Sequence, residues 1–254
     1  MENLSERAKT LASEYAGVKR VALSYSGGLD STVVGALLKL SGFEVRPIVV
    51  NIGQQSDFER IGKNAKAMFG SCSTVDARDG FADSIHRAIK ANFGLVGDAN
   101  PGGISRPVIS RALASEARKL YCQAIAHGSS GTGNDHLNME NALRVLAPEM
   151  RIMAIVRDLD MRRDEALDFA AANSLSTNLQ RAMQFSADEN LWCRIIRQGS
   201  AVDPSKPMPE EAYKWTGSPQ KAPNKAAKIE VEFENGIPIS ATIDGRKFAE
   251  KVGL

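Results

Sequence analysis

Cysteine and histidine are scarce: three of each are scattered over 254 residues. Cys72, Cys122 and Cys193 are odd in number and far apart, a pattern that offers neither a disulfide framework nor paired zinc-ligand spacing. Reduced, buried thiols are the plain reading. His86, His127 and His136 lack the i, i+4 spacing and the acidic companions of a metal cluster, so no structural metal is expected. Long apolar runs are missing as well, and Met1 to Tyr15 reads as a charged amphipathic helix rather than a signal peptide, so a cytoplasmic protein without membrane contact is expected. An excess of one charge sign is also lacking. The formal net charge is +2 and the basic residues are dispersed, which gives no electrostatic footprint for nucleic acid. What is present is ordinary for a folded chain, 43% hydrophobic and 24% charged residues, at a length suited to one large domain or a large and a small one. Small-molecule chemistry is the class these numbers favour.

The run Val18 to Tyr25 leads into Ser26-Gly27-Gly28, and a helical pattern follows from Asp30 to Leu40. Glu44 to Val50 is β-branched and predicts a second strand, Asp57 to Phe69 a helix, and Ser73 to Asp76 a further strand. Helices are predicted over Phe81–Asn92 and Pro107–Leu120 with a glycine-rich loop between them. Gln123–His127 and Arg151–Val156 read as short strands, and Arg163–Ala172 as a helix. Such alternation implies an α/β fold with a parallel sheet covered on both faces. Beyond about Asn173 the alternation stops, prolines punctuate a loop-rich stretch, and Lys228–Phe233 with Ile237–Ile243 reads as a β-hairpin. The expected division is a nucleotide-binding domain over residues 1–172 and a short C-terminal region over 173–254.

The strongest chemical signal is Ser24-Tyr25-Ser26-Gly27-Gly28-Leu29-Asp30-Ser31-Thr32. Glycines let backbone amides approach phosphate oxygens, hydroxyls complete an anion cradle, and the following helix offers its positive end. The alternative is a glycine turn without a ligand. No GxxxxGK[ST] loop accompanies it, so the lysine that serves the β and γ phosphates is absent and γ-phosphoryl transfer is disfavoured. SGGxDS after a strand resembles the PP-loop ATP pyrophosphatases, with their adenine-nucleotide alpha-hydrolase-like fold, in which the turn holds departing pyrophosphate; Asp30 would support magnesium or the turn itself. A second turn, Ala126-His127-Gly128-Ser129-Ser130-Gly131-Thr132-Gly133-Asn134-Asp135, presents donors and acceptors suited to a zwitterionic amino acid, with a polar surface loop as the competing reading.

The segments YSGGLDST, NIGQQSDFE, IKAN, SRP at Ser105 to Pro107, HGSSGTGND, LAPEMR, SADENLW and SPQKAPNKAAKIEVEFENGIPI run in the order of the argininosuccinate synthase family, which the chain resembles almost from end to end. That resemblance implies an AMP-forming carbon–nitrogen ligase: ATP adenylates an acceptor oxygen, pyrophosphate leaves, and the amine of aspartate displaces AMP. It implies ATP and Mg2+ as cofactors, with amino acids as small-molecule partners, and leaves a homo-oligomer open. ATP would be held by Ser24, Tyr25, Ser26, Gly27, Gly28, Asp30, Ser31, Thr32 and Gly128. The amino-acid substrates would be held by Ser130, Thr132, Asn134, Asp135, Asn138 and Ser186, with Asp30 and Asp135 carrying the catalytic tasks. The departures lie on the citrulline side. Asp98 and Gly103 replace a tyrosine and a serine of the family, Asn138 aligns with an arginine that clamps the citrulline carboxylate, and Ile195 with a serine. The family's long C-terminal portion also has no counterpart before Leu254. These differences predict an acceptor other than citrulline. Sulfur transfer by another PP-loop route and a non-catalytic nucleotide-binding relative are the rival expectations.

Overall fold

A computed structural model describes residues 4–94, 99–131, 133–175, 186–197 and 203–248. Five parallel strands, β1 (Arg20–Ser24), β2 (Glu44–Asn51), β3 (Ser73–Asp76), β4 (Ala124–Ala126) and β5 (Arg151–Met153), lie in the order β3-β2-β1-β4-β5. β1 is central, pairing Val21 with Val45 of β2 on one side and with Ala124 of β4 on the other. Its position explains why Val21, Ala22 and Leu23 are all fully buried and why the run carries no polar alternation.

Alternate residues of each strand feed two cores. Val21, Leu23, Val45 and Val49 pack with α1 (Leu4–Lys9), α2 (Leu11–Glu14), α3 (Leu29–Leu40), α4 (Phe58–Phe69), α8 (Ile155–Asp158) and α9 (Arg163–Ala172). Ala22, Ile48, Val50 and Ile125 face α5 (Arg78–Lys90), α6 (Pro101–Lys119) and α7 (Asp135–Leu146). No helix among the described residues is long and apolar enough to cross a membrane.

Several boundaries differ from the sequence expectation. The N-terminal helix is split at Thr10 into α1 and α2. α6 starts at Pro101, six residues before the expected Pro107, because the Asn100 side chain accepts the Gly103 N–H at 3.1 Å and Pro101 sits where a missing N–H costs nothing. β5 stops at Met153, since Ala154 turns the chain into α8.

Among the described residues five further strands, in two antiparallel sheets, follow α9. β6 (Ser186–Glu189) and β7 (Arg194–Arg197) form one antiparallel pair. β8 (Ile229–Glu234), β9 (Ile237–Ile243) and β10 (Arg246–Phe248) form a three-stranded sheet in the order β10-β9-β8, with Asn235 and Gly236 both at positive φ in the β8–β9 turn.

The early start of α6 rests on one side chain. Asn100→Ala should lower stability by about 1 kcal/mol, with some further cost because Asn100 holds a φ of 39° that alanine tolerates poorly. Urea unfolding should show a lower midpoint at unchanged slope.

Candidate active site

β1 and β4 are neighbours, but the chain leaves β1 toward β2 on one side and reaches β4 from the other. This switch in strand order opens a crevice at the carboxyl ends of the two strands. Both glycine-bearing turns lie there. After Ser24, the Tyr25 N–H still donates to Ile48 O at 3.0 Å, and the chain then reverses at Gly27, where φ is +72°. A methyl group at Gly27 would also come within 2.9 Å of Ile61 Cγ1, so neither the backbone nor the space admits a side chain.

Hydroxyls hold this first turn closed. Ser26 Oγ and Ser31 Oγ lie 3.1 Å apart, the Gly28 N–H donates to Ser26 Oγ at 3.3 Å, and Ser31 Oγ donates to Gly28 O at 3.2 Å. Gly28 is the N-cap of α3 and no side chain caps that helix, so its leading N–H groups face the crevice as an anion seat. Asp30, in the first turn of α3, is half-buried; burial lifts its carboxyl above the usual range, and Arg163 pulls it the other way. Tyr25 and Thr32 point inward instead. Their hydroxyls lie 3.3 Å apart, the Tyr25 ring packs edge-on to Phe69, and the pair borders a cavity of about 240 Å³ with Asn64, Met68 and Ser174. What these two residues offer the crevice is backbone.

The second turn leans on the first. A methyl group at Gly128 would stand 3.3 Å from Ser31 N and 3.4 Å from Asp30 C, so a side chain there would push the two turns apart by a few tenths of an ångström. His127 beneath it is fully buried and accepts the Ser129 N–H at Nδ1 over 3.3 Å. Its Nε2 has no hydrogen-bond partner and lies 3.8 Å from Glu140. Burial lowers the His127 pKa to about 4, with Glu140 opposing the fall, so the imidazole is neutral. Glu140, itself buried, is neutralised by Arg157 and by Arg144 at 3.2 Å.

Of the amino-acid residues expected from the sequence, Asn134 is the exposed N-cap of α7, Asp135 opens the helix half-buried, and Asn138 follows one turn on. Ser130 is half-buried in the second turn, and Ser186 begins β6. Thr132 and Asp98 lie outside the described residues. Gly103 is in the first turn of α6, and Ile195 is paired with Asp188 across the β6–β7 ladder.

The β6–β7 hairpin closes over this edge. The Leu191 N–H donates to Ile52 O at 3.0 Å, the Gln55 N–H to Glu189 Oε1 at 2.7 Å, and the Trp192 indole N–H to Ala99 O at 2.7 Å. Glu189 is held by Arg194 at 3.0 Å and Lys214 at 3.1 Å. Sequence reasoning gave no role to Arg106 or Asp188, which are paired at 2.6 Å, or to the Arg106–Asp135 contact at 3.1 Å. The available signal was that Arg106 is the sole charge between Asp98 and Arg111.

Two family descriptions match the chain: "Arginosuccinate synthase N-terminal HUP domain" at residues 20–176 and "Arginosuccinate synthase C-terminal domain" at residues 185–252. Among similar proteins, the argininosuccinate synthase of Archaeoglobus fulgidus is 38% identical over 224 residues, covering 87% of this chain and 57% of that protein. The argininosuccinate synthase of Pyrobaculum aerophilum is 37% identical over 243 residues, 94% and 61% respectively. That of Hyperthermus butylicus is 38% identical over 241 residues, 92% and 60%. The chain thus spans about three fifths of the length of these relatives.

Two outcomes follow from this geometry. Gly27→Ala should weaken ATP binding measured by calorimetry roughly 5- to 30-fold, because a left-handed φ costs a side-chain-bearing residue roughly 1–2 kcal/mol and the methyl group displaces Ile61. For His127, the folded-state value of about 4 lies below the ordinary 6.5, so the unfolded chain takes up the proton first. Its contribution is complete above pH 6.5 and is lost as pH falls toward 4, up to roughly 3 kcal/mol. Unfolding measured across that range should be less pH-dependent in His127→Asn than in the unaltered protein.

Proposed function

The chain belongs to the argininosuccinate synthase family, and from that premise we propose that it is an ATP-dependent, AMP-forming carbon–nitrogen ligase whose acceptor is not citrulline. The observation that carries the ligase reading is the abutment of the two glycine turns at the switch point, with an uncapped helix aimed into the crevice between them. That cradle fits polyphosphate: bare backbone at residues 27, 28 and 128, hydroxyls at Ser26 and Ser31, and no lysine for a γ-phosphoryl transfer. In this reading residues 1–172 bind the nucleotide and residues 173–254 complete the substrate pockets.

The acceptor oxygen attacks the α phosphate, and pyrophosphate departs into the N–H groups of the first turn and of α3. Magnesium, when bound, offsets the phosphate charge. Among the described residues no three His, Cys, Asp or Glu side chains form a metal cluster, so the ion would be held chiefly by phosphate oxygens and water, with Asp30 the nearest supporting carboxylate. Asp135 orients the ammonium of an aspartate-like donor, with Ser130 and Asn134 beside it on the same turn. Once the ammonium has released a proton to water, the neutral amine attacks the activated carbon, the carbon–oxygen bond to AMP breaks, and the new nitrogen gives up its surplus proton, a sequence that needs placement more than a strong base.

Asn138 stands where the resemblance puts an arginine for the citrulline carboxylate, and a neutral amide there forgoes a charged hydrogen bond worth about 1.5–3 kcal/mol. Gly103 and Ile195 remove further hydroxyls. Sulfur insertion fits the site poorly. Cys122 and Cys72 lie at the amino ends of β4 and β3, away from the crevice, and burial pushes the Cys122 thiol up to about 11 and raises that of Cys72, which leaves Cys193 in the β6–β7 turn as the single thiol on that edge, without the second cysteine a sulfur-inserting pair would use.

Radiolabelled pyrophosphate should exchange into ATP when the purified chain meets its acceptor in a screen of amino acids, ureido compounds and carboxylates, and the nucleotide product should be AMP. ADP as the product would overturn the ligase reading, and exchange with citrulline at an ordinary rate would overturn the changed acceptor.

A further inference from the structure

We propose that Arg106, with the bare backbone of Gly102 beside it, is the positioning device that seats the Asp135 carboxylate and ties the amine-donor side of the site to the β6–β7 hairpin. This rests on the ligase reading and adds to it a residue with a defined task.

Asp135 is gripped from two sides by α6. Its Oδ2 accepts from Arg106 Nη2 at 3.1 Å, while a methyl group at Gly102 would fall 2.1 Å from its Oδ1. The carboxylate therefore lies directly on the first turn of α6, in space that any side chain at 102 would take. The same Nη2 donates to Asp188 Oδ2 at 2.6 Å, so one nitrogen joins the start of α7 to β6. Nη1 donates to Ser105 Oγ at 3.3 Å, and that hydroxyl donates to Pro101 O at 2.6 Å, which fixes the guanidinium to its own helix.

Arg106 has only 16% of its side chain exposed, and three of its donors go to Ser105, Asp135 and Asp188, which suits a positioning task. Burial works against its charge, yet Asp188 and Asp135 together hold it more firmly protonated than usual. One cation between two anions leaves the cluster net negative. An ammonium group is the ligand charge it suits, and a carboxylate is the one it repels.

The test separates the two halves of the reaction. In Arg106→Gln, two carboxylates lose their shared cation, and aspartate affinity by calorimetry with ATP analogue present should fall roughly 10- to 100-fold. Carbon–nitrogen bond formation should fall at least as far, while acceptor-dependent pyrophosphate exchange stays within about threefold. Arg106→Lys, which keeps the charge without the planar fork, should recover part of the loss. Gly102→Ala keeps the Arg106 charge and moves only the seat: the methyl group rotates Asp135 away and should weaken aspartate binding about tenfold, with a native circular-dichroism spectrum and cooperative unfolding separating this from loss of the fold. Equal losses in exchange and in bond formation, unchanged aspartate affinity in Arg106→Gln, or no aspartate binding by the unaltered chain would each overturn the proposal. A chain that binds aspartate through Arg106 but exchanges no pyrophosphate with any acceptor would retain the positioning role and lose the ligase reading.

Discussion

Everything at the carboxyl edge of this sheet depends on one close contact: the turn after β4 runs against the first turn of α3, where a Cβ at residue 128 would stand only 3.3 Å from the Ser31 backbone nitrogen. Parallel pairing of Val21 with Ala124 brings the strands side by side, and the absent Cβ lets the chain ends touch. The two glycine-bearing turns thereby become walls of one crevice. In the proposed reaction neither wall suffices alone, since phosphates would use the amides of the first and the donor amine the carboxylate that follows the second.

Charge is arranged in tiers around that contact. Below the second turn, Glu140 lies between Arg157 and Arg144, sealing the floor under His127. Beside it, Arg106 sits between Asp135 and Asp188, and farther out Glu189 gathers Arg194, Lys214 and the Gln55 N–H. Partly buried ion pairs of this kind return little net stability once desolvation is counted, so their value lies in fixing which surfaces meet. The β6–β7 hairpin illustrates this: polar contacts hold it to the sheet edge through Ile52, Gln55 and Ala99.

The layered α/β core was legible in the sequence because strand-length apolar runs and 3.6-residue periodicity agree with burial on both faces, as at Val18–Tyr25, Glu44–Val50 and Arg163–Ala172. The start of α6 was hidden because Asn-Pro-Gly-Gly reads as a chain breaker, whereas here Asn100 caps and Pro101 leads the helix. α7 escaped notice because DHLNMENALRVL opens with polar residues and buries His136 and Glu140 beside Met139 and Leu143, which blurs the apolar stripe. β6 and β7 are four residues each, too short and too charged for a strand signal. At the site, the glycine turn announced itself through residue type and spacing. The Arg106 bridge did not, since it joins residues 29 and 82 positions away, a relation that only tertiary packing creates.

That separation bears on how the protein reaches its native state. The first turn is made by residue 28, but its abutting neighbour is synthesised only a hundred residues later, and the two meet when the β1–β4 ladder closes. A ligand spanning both turns recognises the finished sheet and nothing earlier. It acts as a thermodynamic latch on a contact of high sequence separation, adding stability in proportion to the logarithm of its concentration over its dissociation constant.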